Sequence, residues 1–352
     1  MNFVYQALPA RVIFGLGKLE KLPGEVDLLG LKRVLVLCTP YQRDEADRIA
    51  AMLGERAIGI FDQATMHVPI ELAQRARAHV IEHRVDGLVT VGGGSTTGLA
   101  KAIALTSGLP TVAIPTTYAG SEMTPIWGLT EGENKTTGRD LKIIPRTVIY
   151  DPSLTVTMPA MLSATSGMNA IAHCVEALYA ENANPIMSLM AEEGIRALAT
   201  SLPKVVKNGG DLEARSEALY GAWLGGCVLG AVGMALHHKL CHVLGGTFNL
   251  PHAEVHTVVL PHAVAYNAQA APVAMRAIAR ALGRDDAAQG LYDLEVTLGT
   301  PITLAALGMQ PPDLDRAADL AIKSPYYNPR PITRAGIRAL LDDAFSGRRP
   351  NP

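Results

Sequence analysis

Through residue 151 the chain alternates short apolar, β-branched runs with segments whose apolar positions recur every three to four residues. The runs RVLVLC (33–38), AIGIFD (57–62), GLVTV (87–91), TVAIP (111–115) and TVIYD (147–151) are short and apolar enough to be strands buried on both faces. Between them, YQRDEADRIAAML and IELAQRARAHVIEH place charges opposite their apolar stripe, as helices that cross a sheet do. This alternation predicts an α/β domain with a mostly parallel sheet over residues 1–152.

After Asp151-Pro152 the strand signals stop and Ala/Leu/Met-rich helical periodicity continues to the end, predicting an all-helical domain over 153–352. Its clearest helices are TMPAMLSATSGMNAIAHCVEALYA, PIMSLMAEEGIRALATSLPKVV and ITRAGIRALLDDAF, with proline-rich joints near 251, 261, 311–312 and 325–331. The uncharged stretch from Leu219 to Leu236 is 18 residues long, near the length of a membrane span. Its glycines, and its passage straight into histidines, read as a buried helix or helix pair.

A length of 352 residues suits two domains better than one. The net charge of -2, with no Lys/Arg stripe, gives no electrostatic footprint for nucleic acid or an anionic membrane. Cys38, Cys174, Cys227 and Cys241 lack CxxC spacing, so reduced thiols are expected, and neither disulfides nor cysteine-held metal. The N-terminus lacks the basic start and apolar core of a signal peptide, which makes a cytoplasmic location the expectation.

Two loops carry candidate chemistry at predicted strand ends. GLVTV runs into Gly92-Gly93-Gly94-Ser95 and then an apolar helix. Glycines there let backbone approach a pyrophosphate, and the following helix start favours its charge. The next strand ends in Pro115-Thr116-Thr117-Tyr118-Ala119-Gly120-Ser121-Glu122, again at the sheet edge where ligands of open α/β sheets bind.

Seven of the ten histidines fall between 173 and 262. His237, His238, His242, His252, His256 and His262 crowd the end of that range, and His238 and His242 share a helical face. Such density points to a metal or proton-transfer site, whereas His256 and His262 read as core residues. His173 follows Asn169 by four residues, where an aspartate would have completed a metal set. A neutral amide contributes no charge to offset desolvation of a cation.

Taken in order, GGGSTTGLAK resembles the GGGSxxDxAK motif of the iron-containing alcohol dehydrogenase superfamily, and PTTYAGSE resembles its PTTxGTGSE. GMNAIAHCVEA resembles GxDAxxHxxEA, HHKLCHVLGGTFNLPHAEVHTVVLPH resembles HGxxHxLGxxxxxPHGxxxxxLLPH, and Asn328-Pro329-Arg330 resembles a motif near the C-terminus. The resemblance spans nearly the whole chain. It implies a dinucleotide-binding α/β domain, an all-α catalytic domain and a nicotinamide site in the cleft between them. Gly92, Gly93, Gly94, Ser95, Thr116, Thr117, Tyr118, Ser121, Lys142 and Thr39 become the cofactor candidates. The family's metal positions fall on Asn169, His173, His238 and His252, and His242 matches a histidine beside the nicotinamide.

Gly98 for the motif's Asp, the shortened PTTYAGSE, Asn169, the opening FxYxxxxxRVIFG and the loop Lys135–Asp140 are all similar to the maleylacetate reductase branch. That branch implies reduction of the carbon–carbon double bond of maleylacetate to 3-oxoadipate in aromatic catabolism. It also implies NADH or NADPH, no required metal, a small dicarboxylate substrate and a homodimer. Cys38-Thr39-Pro40-Tyr41 lacks the acid that would exclude a 2′-phosphate, consistent with either cofactor. The catalytic candidates are His173, His238, His242 and His252, with His242 or His252 as proton donor and Arg139, Lys239 and Arg330 as carboxylate partners. The alternatives are a metal-dependent alcohol or polyol dehydrogenase using His173, His238 and His252, a dehydroquinate synthase-like lyase, and a nucleotide-binding module.

Overall fold

The computed structural model describes residue 3 and residues 5–8, 10–132, 134–323 and 325–351; the Lys135 side chain also lies outside the description. Two compact units emerge, Ala7–Thr157 and Met158–Pro352, the latter grouped with Met1–Gln6.

The first unit is built on strands β1 (Arg11–Phe14), β2 (Val34–Leu37), β3 (Ala57–Phe61), β4 (Gly87–Gly92), β5 (Thr111–Pro115) and β8 (Thr147–Tyr150). They pair in parallel in the order β1-β8-β5-β4-β2-β3. β2, β4, β5 and β8 are buried at every residue, which is why they read as unbroken apolar runs. Successive side chains serve opposite faces. Val34 and Val36 pack with Leu22, Val26, Ile49 and Leu53 from helices α1 (Leu22–Leu28) and α2 (Arg43–Leu53). Leu35 and Leu37 pack instead with Leu72, Val80, Leu99 and Ile103 from α3 (Ile70–Glu82) and α4 (Gly94–Ser107).

Two features escaped the periodicity. β1 carries an exposed arginine and sits at the sheet edge, so its four residues show little pattern. The segment read as the loop Lys135–Asp140 instead supplies β7 (Asn134–Arg139), the antiparallel partner of β6 (Ile126–Glu131). Its polar composition hid it. Val4 and Pro9 of the opening motif lie outside the described residues.

The helical unit contains α5 (Ala160–Ala177), α6 (Pro185–Lys207), α7 (Leu212–Ala231), α8 (Leu236–Phe248), α9 (His252–Asn267), α10 (Pro272–Leu282), α11 (Ala287–Leu298), α12 (Asp313–Ala321) and α13 (Arg334–Ser346). α5 is buried continuously from Ser163 to Ala177 and packs against α6, α7, α9 and α11. The apolar run beginning at Leu219 is a helix pair: α7 ends, and α8 leaves at a 95° bend. Among the described residues no single helix is long and apolar enough to cross a membrane. The prolines of the C-terminal motif frame a side-chain lock, because Asn328 Nδ2 donates to Asn267 Oδ1 at 2.7 Å and Asn267 Nδ2 returns a bond at 3.0 Å.

Candidate active site

In the α/β unit, sequential strands lead from β2 to β3 at one edge and from β4 to β5 and β8 on the other side. The reversal lies between β2 and β4, whose carboxyl ends form the place where such sheets bind nucleotides. Both candidate loops are there. β4 ends at Gly92, Gly93 is the N-cap of α4 and provides no side-chain cap, and Gly94 and Ser95 open the helix. The first N–H groups of α4 are therefore available to a phosphate. A Cβ on Gly93 would stand 2.8 Å from Thr117 Oγ1 and 2.9 Å from its Cγ2, so only glycine lets the two loops approach this closely. The buried Thr96 Oγ1 has no hydrogen-bond partner. A dinucleotide pyrophosphate fits this cradle.

Gln42, not singled out from sequence, bridges the strand ends. Its Nε2 donates to Thr116 Oγ1 at 2.6 Å, and its Oε1 accepts from Thr39 Oγ1 at 3.2 Å. It thereby joins the ends of β2 and β5 across β4. Tyr118 is fully buried, while Thr116 is nearly so. Ser121 is held by Lys101, whose Nζ donates to its carbonyl, to its Oγ at 3.2 Å, to Thr124 Oγ1 at 2.9 Å and to the Ile126 carbonyl at 2.9 Å. Burial pushes the Lys101 ammonium down to about 7, with Glu122 opposing the change. Lys142 lies on a short 3-10 turn, paired with Asp140 at 3.1 Å.

At Gly98, where the motif has aspartate, a Cβ would stand 2.9 Å from Val68 Cγ2. A carboxylate there would collide with core. Replacing Gly93 by valine should lower affinity for NADH about tenfold or more, roughly 1.4 kcal/mol or greater, because the branched side chain displaces Thr117. A fluorescence titration reads this, and an unchanged dissociation constant would remove the cradle from cofactor binding.

The helical unit gathers the other candidates. Asn169 and His173 stand one turn apart on α5, and His238 and His242 one turn apart on α8. His252 opens α9. Ring centroids are 5.2 Å apart for His173–His238, 6.4 Å for His238–His242, 4.9 Å for His238–His256 and 4.4 Å for His252–His256. His256, read from sequence as a core residue, is thus inside the cluster. His262 is not drawn in, and its charged neighbours are Asp343 and Arg348; burial pushes its imidazole down to about 4. Burial, reinforced by neighbouring imidazoles, holds His173, His237 and His256 well below the usual histidine range. These rings are neutral at pH 7.

Glu176 organises the cluster and was not assigned from sequence. It is completely buried on α5, three residues beyond His173. α8 has no side-chain cap of its own, and Glu176 occupies that position from another helix. Its Oε1 accepts from the His237 backbone N–H at 2.8 Å; its Oε2 accepts from Ala235 N at 2.9 Å, His238 N at 3.3 Å and His238 Nδ1 at 2.7 Å. An oxygen pair accepting four donors acts as a carboxylate, and a carboxylate at a helix N-terminus is favoured by the dipole. The consequence is a fixed tautomer: His238 Nδ1 bears the proton, leaving Nε2 buried with no hydrogen-bond partner. The signal was legible as spacing, since Asn169, His173 and Glu176 lie on one face of α5.

Of the cations considered for carboxylates, Arg330 lies 4.3 Å from the Tyr266 ring centroid and donates to the Tyr266 carbonyl at 3.1 Å. That engagement is structural. Lys239 lies over Tyr326 at 5.7 Å, and Arg139 ends β7.

A parallel nucleotide-type sheet joined to an all-α, histidine-bearing unit defines a class of dinucleotide-dependent oxidoreductases. Residues 9–152 match the model of the iron-containing alcohol dehydrogenase family and residues 163–345 that of the C-terminal region of the Fe-containing family. The chain belongs to the iron-containing alcohol dehydrogenase family. It is 58% identical over 349 residues to a maleylacetate reductase of Burkholderia cepacia, covering 99% of each chain. A crystal structure from Ralstonia eutropha described as a putative alcohol dehydrogenase superposes with a TM-score of 0.98 at 61% identity, covering 100% of both chains. The crystal structure of maleylacetate reductase from Agrobacterium tumefaciens does so with a TM-score of 0.97 at 51% identity, covering 99% of this chain and 100% of that one.

The family name implies iron, which can be tested against the donors present. Asn169 Oδ1, His173 Nδ1 and His238 Nε2 are buried without hydrogen-bond partners. However, Asn169, His173, His238 and His252 bring no negative charge to offset that of a divalent cation. Among the described residues, the one group of three ligand-type side chains with donor atoms within 4.8 Å of one another is His237, Cys241 and His256, not the family positions. Without the family's aspartate, three neutral imidazoles and an amide remain at those positions, a weaker donor set for iron than one that carries a carboxylate.

Proposed function

We propose that this chain reduces the carbon–carbon double bond of maleylacetate to 3-oxoadipate with NADH or NADPH, and that it does so without a required metal. The observation that carries the reading is the buried histidine cluster whose ligand carboxylate is replaced by Asn169 while Glu176 fixes His238 from behind. The full-length likeness to maleylacetate reductases supports the substrate.

Bound reduced nicotinamide supplies a hydride to the alkene carbon β to the ketone. The electron pair of the double bond moves toward the carbonyl, and charge collects on the ketone oxygen of the substrate. His173 stays neutral and can donate one N–H to that oxygen. His238 has Nδ1 committed to Glu176, so a proton on Nε2 makes it a cation matched by a buried carboxylate and a strong donor. His242 or His252 delivers the proton to the α carbon, completing addition of H⁻ and H⁺ across the double bond.

The α/β unit grips the pyrophosphate through Gly93, Gly94 and the start of α4, with Ser95, Thr117, Ser121 and Lys142 as its further cofactor contacts. No acidic side chain stands at Thr39 after β2, an arrangement that tolerates a ribose 2′-phosphate. A bacterial cytoplasmic homodimer acting in aromatic catabolism completes the reading.

The test is an NADH- and NADPH-oxidation assay of chelator-treated, metal-analysed protein with maleylacetate beside a panel of aldehydes and ketones. Turnover of maleylacetate in metal-stripped protein, with the panel at least about a hundredfold slower, is the expected outcome; that ratio corresponds to about 2.7 kcal/mol. Activity that vanishes on chelation and returns with iron or zinc would establish the metal-dependent alcohol dehydrogenase instead.

A further inference from the structure

Behind the proposed catalytic rings lies a second set of ligand atoms. His237 and Cys241 are one turn apart on α8, and His256 faces them from α9. His237 Nε2 is 3.0 Å from His256 Nδ1 and 3.7 Å from Cys241 Sγ. Each of the three residues offers a donor atom that lies within 4.8 Å of the other two. A cation with bonds of about 2.0 Å to nitrogen and about 2.3 Å to sulfur separates its ligands by roughly 3.3–3.5 Å for N···N and roughly 3.5–3.7 Å for N···S. The observed spacing needs only a few tenths of an ångström of adjustment.

We propose that His237, Cys241 and His256 form a binding site for a thiophilic d10 cation of low coordination number, Cu(I) being the charge-matched case. Thiolate and imidazole are the ligands such ions prefer over the oxygen donors chosen by harder ones. One thiolate and two neutral imidazoles make a neutral assembly with a monovalent ion. Neutrality matters because all three residues are essentially inaccessible to solvent. Binding exchanges the Cys241 S–H proton for the ion, while the proton shared by His237 Nε2 and His256 Nδ1 moves to the other nitrogen of its ring, so both imidazoles stay neutral and affinity rises with pH.

The site is distinct from Asn169, His173, His238 and His252, yet it touches them. The His256 ring is 4.4 Å from that of His252 and 4.9 Å from that of His238. An ion that seizes His256 Nδ1 and His237 Nε2 therefore freezes the rings next to the proposed proton donors. Occupancy should inhibit the enzyme rather than support it. CxxC spacing does not reveal this group, because its cysteine is matched with a histidine four residues earlier and another from a separate helix.

The test uses the full chain, reduced and chelator-treated, titrated with Cd(II) and, anaerobically, with Cu(I) against a chromophoric chelator. One equivalent per chain, a thiolate-to-cadmium charge-transfer band and X-ray absorption showing one sulfur and two nitrogen scatterers are expected. Cys241→Ala should lose the band and lower affinity for either ion at least a hundredfold, while Cys38→Ala retains both. Circular dichroism checks the fold of each variant; should Cys241→Ala misfold, Cys241→Ser serves in its place, and the scattering shell of the parent protein stands independently. Binding of Cd(II) but not Cu(I) supports the site and overturns the charge matching. A parent spectrum without sulfur ligation, or a band unaffected at position 241, overturns the site.

Discussion

His242→Asn and His252→Asn should each lower kcat with maleylacetate, one of them by about 10² to 10⁴, the range spanned by a positioned proton donor. Neither should change NADH affinity by more than about twofold, since the nucleotide cradle is built from β4, β5 and α4 in the other unit. Asparagine keeps hydrogen-bonding capacity and much of the ring's reach but cannot shuttle a proton at neutral pH. The larger loss identifies the donor to the α carbon. A partner that loses only tenfold or so acts by stabilising the oxyanion, because removing one of several donors leaves the others in place. Stopped-flow reduction with NADH separates the chemical step from product release. If both variants turn over at nearly the parent rate, the imidazole mechanism fails.

Glu176→Gln should lower kcat by about 10- to 100-fold, the usual consequence of removing a partner that orients a functional histidine. The side chain keeps its volume but exchanges an oxygen for an N–H₂ group. If that group faces Ala235 N, His238 N and His238 Nδ1, three donors confront a donor; if it turns the other way, His237 N does so. In either orientation at least one buried donor is left without an acceptor, at a cost of about 1–3 kcal/mol. The tautomer of His238 is no longer imposed, and the positive charge of a protonated ring has no matching carboxylate. Thermal unfolding should therefore begin earlier and turnover should drop, while NADH binding to the α/β unit stays intact. A variant with parent kcat and lowered stability would show that Glu176 only caps a helix.

Much of the molecule was readable in one dimension where a single physical demand dominates. β2, β4, β5 and β8 are buried on both faces, so the demand for apolar, branched residues is continuous and their runs stand out. β7 faces no such demand, and its Thr136, Thr137 and Gly138 look like any polar turn. Histidine density around 237–262 was conspicuous, yet density does not separate roles. His256 proved part of the cluster, whereas His262 faces Asp343 and Arg348. Glu176 shared a helical face with His173 in plain view, but nothing local revealed that the start of α8, some sixty residues later, would rest on it. Gln42 and the His237–Cys241–His256 group were hidden for the same reason, since each joins elements that only the folded topology brings together.

The borrowed cap on α8 also bears on the order in which the chain acquires its structure. A helix of 13 residues is marginal by itself in water, and this one starts with no hydroxyl or carboxylate of its own to hold its leading amides. Its nucleus is completed only when α5 has docked and delivered Glu176 across a long stretch of intervening sequence. Two of the histidines assigned to chemistry thus sit on a helix whose leading turn rests on a side chain of α5, so their alignment depends on the docking of that helix.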